Sequence, residues 1–205
     1  MMRRSTVRYR RGFATIAPLL TRPSRISALL LDARCHPPET LSVAVCSVNA
    51  MSISQRLAGL GAQLPPVAVP AGSYVPALRV GGLVFTSGQL PTVDGHLHAT
   101  GVVGRDVTTE VAAECARVCA MNALAAAASA AGGVDNIERI VKLSVFVASC
   151  CDPAYTEQAK VANGASDALA ELLGDAGRHA RSAVGVAALP LGAPVEVEMI
   201  VQVKP

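Results

Sequence analysis

The residues from Val195 to Val203 alternate without a break. Val195, Val197, Met199 and Val201 fall on one side, and Glu196, Glu198, Ile200 and Gln202 on the other. A period of two marks a β-strand, whose successive side chains point to opposite faces. Such a strand belongs to a sheet with two unlike faces, one packed dry and one carrying two carboxylates.

Upstream segments provide cover for the dry face. Thr108 is placed to cap a helix, and Glu110 puts negative charge in its first turn, where the helix dipole favours it. Val111, Cys115, Val118 and Leu124 recur near helical spacing, and Ala125 to Ala128 allow close approach to a sheet. Gly132-Gly133 ends the helix. A second helix is expected to open at Asp152-Pro153 and run to about Leu173, with Gly174 as its stop. Strands are expected at Val75–Val80, Leu83–Ser87, Ile140–Val147, Ser182–Ala188 and Val195–Val203. Gly81-Gly82 joins the first two as a hairpin, and Asp94-Gly95 marks another turn. Ahead of them lies a short amphipathic start, Ser54 to Leu60, and a proline-rich extended stretch. The order ββαβαββ predicts an α/β fold: a single-layer mixed β-sheet with two helices on one face. No helix remains for the other face, so self-association is expected there.

Apolar residues make up 51% of the chain but aromatics only 3%, with no Trp, so the core must be Ala, Val and Leu. The most apolar stretch, Val118 to Val134, contains Asn122, Ser129 and two glycines. It reads as a close-packing helix rather than a membrane span, and no membrane partner is expected.

Charge divides the chain. Residues 1–50 hold eight arginines against two acids, a balance of +6; residues 51–205 hold ten basic and thirteen acidic residues, a balance of −3. The mildly acidic body lacks the basic footprint of a nucleic-acid binder, so no nucleic-acid partner is expected. The first fifty residues read as a separate, disordered extension: a transit peptide, a basic arm, or sequence upstream of a start at Met51. A cytoplasmic location is expected, or an organelle if the extension is a transit peptide.

The cysteines give no metal spacing. Cys115 and Cys119 share a helix face, and Cys150 and Cys151 are adjacent. No C-x-x-C occurs, so they read as small apolar residues. His96 and His98 beside Asp94-Gly95 read as turn residues. Neither G-x-G-x-x-G after a strand nor a P-loop is present. No metal and no cofactor are expected.

Three places could carry chemistry. Arg181, in Gly177-Arg178-His179-Ala180-Arg181-Ser182, can offer a planar fork to a carboxylate or be a solvated loop arginine. Glu196 with Glu198 can hold and polarise a water or form an ordinary exposed edge. Thr86-Ser87-Gly88-Gln89-Leu90-Pro91 can bring backbone close to a ligand at its glycine or simply end a strand.

These segments together resemble the RidA/YjgF family, in the branch called YjgF-like or L-PSP endoribonuclease-like. The resemblance rests on Phe85 to Pro91, Asn163-Gly164-Ala165-Ser166-Asp167, His179 to Val186 with Leu189-Pro190, and Val195 to Glu198, in order over about residues 55–203. It implies a chorismate-mutase-like fold assembled as a homotrimer with clefts between subunits. It also implies hydrolysis of enamines and imines, such as 2-aminoacrylate, to a 2-keto acid and ammonia. By resemblance Arg181 grips the substrate carboxylate and Glu196 positions the hydrolytic water. Tyr74, Ser87, Gly88 and Asn163 line the pocket. Two positions depart from many deaminating members: Ala183 stands where they have Cys, and Gly185 where they have Glu. A small-carboxylate-binding or regulatory trimer without turnover is the alternative. The family's ribonuclease label is a third reading, against which the acidic body and the lack of aromatic platforms speak.

Overall fold

The structure is a computed structural model describing residues 51–70, 72–151 and 153–205; the first fifty residues and the readings attached to them lie outside the described residues. In chain order the elements are α1 (Ile53–Gly59), β1 (Ala77–Val80), β2 (Leu83–Thr86), β3 (Thr92–Val93), β4 (His96–Leu97), α2 (Thr109–Ala131), β5 (Ile137–Ala148), α3 (Gln158–Leu173), β6 (Ala180–Val186) and β7 (Val195–Val203). Five strands make one sheet in the order β1-β2-β7-β5-β6, and β3 and β4 pair separately. Only β5 and β6 run parallel; the other neighbours are antiparallel. The expected mixed sheet is present, with α1 and the β3–β4 hairpin added.

Helix α2 begins and ends where its sequence directs. The Thr108 hydroxyl accepts the Val111 amide, and Gly132 closes the helix at φ 76°, a left-handed conformation that suits glycine. By length and apolarity this helix could cross a bilayer, yet most of it is buried within the fold. Its alanines pack against the sheet on one side and α3 on the other. Gly164 of α3 makes the helix–helix approach possible: a Cβ there would overlap the Ala113 carbonyl oxygen and fall 2.7 Å from its carbon. The side chains of β7 alternate as written, with Val195, Val197, Met199, Val201 and Val203 buried.

The start of α3 differs from the expectation. Helix forms only at Gln158, after Glu157, with Asp152 outside the described residues. Tyr155 accounts for the delay. Its amide donates to the Cys150 carbonyl, its hydroxyl meets Thr109 Oγ1 at 3.0 Å, and its ring closes on Gly104. Those contacts hold the segment after Pro153 out of helical geometry.

The face away from α2 and α3 has no covering element among the described residues. Leu78, Val80, Phe85 and Val184 stand exposed on it.

Candidate active site

Register places Arg181. Pairing of β5 with β6 sets Leu143 beside Arg181, Val145 beside Ala183 and Val147 beside Gly185. The β5 members of these pairs are fully buried, so Arg181 points to the helix face. Because β6 is an edge strand, the side chain emerges alongside α3. Nη1 donates to Asn163 Oδ1 at 3.0 Å and to Ser166 Oγ at 2.9 Å, and Nη2 donates to the Ala159 carbonyl at 3.4 Å. Ala159, Asn163 and Ser166 lie at i, i+4 and i+7, one face of the helix. These acceptors are all neutral, so none of them is a counter-charge to the guanidinium. Arg178, three residues earlier, is instead exposed and paired with Asp175 at 3.2 Å.

Register also places Glu196. It pairs with Phe146, three residues beyond Leu143 on β5, and so lies on the face opposite Arg181. Strand β2 helps shape its surroundings. Phe85 pairs with Ile200 and Gln89 with Val197, so three residues, Thr86, Ser87 and Gly88, face only Glu198 and Met199. That extra residue is a bulge. The Thr86 hydroxyl accepts the Met199 amide at 3.0 Å within it. The bulge brings Gly88 against Glu196: a Cβ on Gly88 would overlap Oε1 and fall 2.6 Å from Cδ. The glycine is therefore needed for the chain's own carboxylate, not only for an approaching ligand. Burial, and next the neighbouring Glu198, raise the Glu196 carboxyl above its ordinary value.

The remaining expected residues, Ser87 and Tyr74, lie beside Gly88. Ser87 donates its hydroxyl to the Val75 carbonyl at 2.7 Å, fixing the strand that follows Tyr74. Tyr74 and Gly88 share a cavity of about 150 Å³ with Pro70, Gln89, Leu90 and Leu191. The six expected residues thus fall into two groups: Arg181 with Asn163 on the helix face, and Glu196 with Gly88, Ser87 and Tyr74 at the β2 bulge. Within the chain the two groups are separated by the sheet and by about 10 Å along the strands.

Ala183 and Gly185 continue the Arg181 row. A Cβ on Gly185 would fall 2.7 Å from Ser149 Oγ and 3.0 Å from Gln158 Nε2. Those two side chains occupy the space beside this position.

Two residues were not singled out from sequence. Ser166 accepts from Arg181, and its Oγ lies 3.1 Å from His179 Nε2. The i, i+3 spacing of Asn163 and Ser166 was the available clue for the first. The cysteines on α2 are buried, and burial pushes the thiol of Cys115 up to about 11 and that of Cys119 well above its usual range. Both stay protonated at neutral pH and are poor nucleophiles.

Comparison with known proteins gives consistent matches. Residues 54–202 match the family described as "YjgF/chorismate mutase-like, putative endoribonuclease". Protein TCP17 of Trypanosoma cruzi is 44% identical over 151 residues, covering 73% of this chain and 93% of the relative. Among solved structures, the Agrobacterium tumefaciens protein Atu1372, of unknown function, is 46% identical with a TM-score of 0.67, covering 74% of this chain and 92% of the other. A Shewanella oneidensis protein described as "a putative endoribonuclease" is 32% identical with a TM-score of 0.71, covering 75% of this chain and all of the other.

Proposed function

The chain belongs to the YjgF/chorismate-mutase-like family, and from that premise we propose that it hydrolyses reactive 2-imino and enamino acids to 2-keto acids and ammonia, in clefts between copies of a homotrimer. The observation that carries this reading is the pair of groups. One offers a held, fully charged guanidinium, and the other a carboxylate with a raised pKa. A cleft between copies unites them, because the Arg181 edge of one protomer then meets the Glu196 face of the next.

The chemistry asks little more. The guanidinium binds the substrate carboxylate through two charge-assisted hydrogen bonds. An enamine first tautomerises to the imine. Glu196 holds a water and takes its proton as the oxygen adds to the imine carbon. The nitrogen gains that proton to give the carbinolamine, whose hydroxyl proton then passes to the amine as the C–N bond breaks, so that ammonia leaves with the carbonyl formed. One water enters, and one ammonia and one 2-keto acid depart. Positioning supplies much of the rate, since the imine is already electrophilic.

A second reading, a trimer that binds small carboxylates without turnover, is favoured by the surroundings of Gly185. There an amide and a hydroxyl replace the acidic group of many deaminating members. Ammonia release from freshly generated 2-iminopropanoate separates the two. Release above the spontaneous rate, lost in Glu196→Gln, supports hydrolysis. Pyruvate binding without accelerated release supports the second reading.

A further inference from the structure

We propose that His179 is a positioning residue: through the Ser166 hydroxyl it locks Arg181 so that only the Nε–Nη2 edge of the guanidinium is presented to a carboxylate. This deepens the carboxylate-binding reading above and rests on it for its ligand.

The argument is one of donors and acceptors. Nη1 carries two hydrogens, and both are spent, on Asn163 Oδ1 and Ser166 Oγ. One hydrogen of Nη2 is directed to the Ala159 carbonyl. The end-on fork, which needs Nη1, is closed. What remains is Nε–H with the second hydrogen of Nη2, a parallel pair matched to the two oxygens of a carboxylate.

Ser166 can hold this arrangement only if its own proton has a destination. Its oxygen accepts from Arg181, and its hydroxyl then donates to His179 Nε2, 3.1 Å away. That requires Nε2 to be unprotonated. The other ring nitrogen satisfies the condition, because Nδ1 lies within hydrogen-bond distance of the Gly177 carbonyl and carries the proton it donates there. The relay runs in one direction, from Arg181 to Ser166 to His179, with the Nδ1–H tautomer at its root. A carbonyl on the α3–β6 turn thus sets the orientation of a side chain on β6.

The test separates the two ring nitrogens. Glutamine reproduces a polar atom near the Nε2 position, and asparagine one near Nδ1. Pyruvate titrated calorimetrically into the full chain is expected to bind about tenfold more weakly in His179→Ala and in Ser166→Ala, a change of about 1.4 kcal/mol. The double variant should lose no more than either single one, because both break one relay. His179→Gln should restore most of the affinity, and His179→Asn should not. Restoration by asparagine rather than glutamine, or additive losses, would mean that His179 merely staples the turn, and the proposal falls. A second readout needs no ligand. Long-range ¹⁵N–¹H spectra should show the Nδ1–H tautomer for His179, and separate Arg181 Nη signals that merge in Ser166→Ala. An Nε2–H tautomer overturns the relay. If the wild type fails to bind pyruvate while these spectra hold, the carboxylate reading fails and the positioning role stands.

Discussion

Arg181 and Arg178 lie in one connection, three residues apart, and the structure gives them different tasks. Arg178 is paired with exposed Asp175, a contact of little energetic weight, whereas Arg181 is held by three acceptors of α3. Arg181→Ala is therefore expected to abolish pyruvate binding without loss of fold, while Arg178→Ala binds as the wild type does. Arg181→Lys keeps the charge but not the fork, and should lose roughly 1.5–3 kcal/mol of binding. Calorimetric titration of the three variants checks the order; loss in Arg178→Ala alone would reverse the assignment. At Gly88 a methyl group must displace the Glu196 carboxylate, which is the end of a flexible side chain. Gly88→Ala should therefore fold with a nearly unchanged thermal midpoint and lose ammonia release. The raised carboxyl of Glu196 has a pH consequence. Above the ordinary value of 4.5 and up to the raised one, the folded state binds more proton than the unfolded state, so this group's contribution to stability falls as pH rises through that window. Glu196→Gln should accordingly raise the thermal midpoint at neutral pH, and the gain should vanish below the carboxylate range. A melting series against pH that shows no such convergence would contradict the assignment. The acid limb of the pH–rate profile should sit above the usual carboxylate value.

At the scale of elements, the closest constraint is the α2–α3 crossing. Gly164 faces the Ala113 backbone, which cannot move aside as a side-chain tip can. Gly164→Ala is expected to cost about 1–3 kcal/mol, the usual range for overpacking, and to lower the thermal midpoint by several degrees. A midpoint within one degree of wild type would show that the helices part freely. Because Asn163 and Ser166 flank this glycine, the same variant should weaken pyruvate binding. The β2 bulge is the other element-scale device. Its extra residue changes no helix or strand assignment, yet it sets which atom lies under Glu196.

For the whole molecule, the two groups and the open apolar face point to the same proposal. Exposed Leu78, Phe85 and Val184 would gain by burial against another copy, and the proposed cleft between copies would unite Arg181 with Glu196, which one chain holds on opposite faces of its sheet. Light scattering at micromolar concentration is expected to give three times the monomer mass; a monomer would defeat the assembly. Complementation tests the shared site more sharply. Arg181→Ala and Glu196→Gln chains, each inactive alone, should regain part of the ammonia-releasing activity when mixed and allowed to exchange subunits. Some clefts then receive Arg181 from one chain and Glu196 from another. No recovery despite demonstrated exchange would place both residues' work within one protomer.

The sequence determined what depends on neighbours along the chain. The alternation of β7, the Thr108 cap and Gly132 stop of α2, and the hairpin at Gly81-Gly82 were legible because period, capping and turn chemistry act over a few residues. The candidate residues could be picked out one by one through their motifs, but their separation into two groups could not. The division of Arg181 from Glu196 follows from which β5 residue each one pairs with, and pairing across a sheet is written in no single segment. The delayed start of α3 has the same origin, since Tyr155 answers to Gly104 and Thr109, some fifty residues away, rather than to the local signal of Asp152-Pro153. His179 was part of a recognised motif, but only the fold brings it to Ser166 and so to Arg181, because a hydrogen bond depends on distance in space.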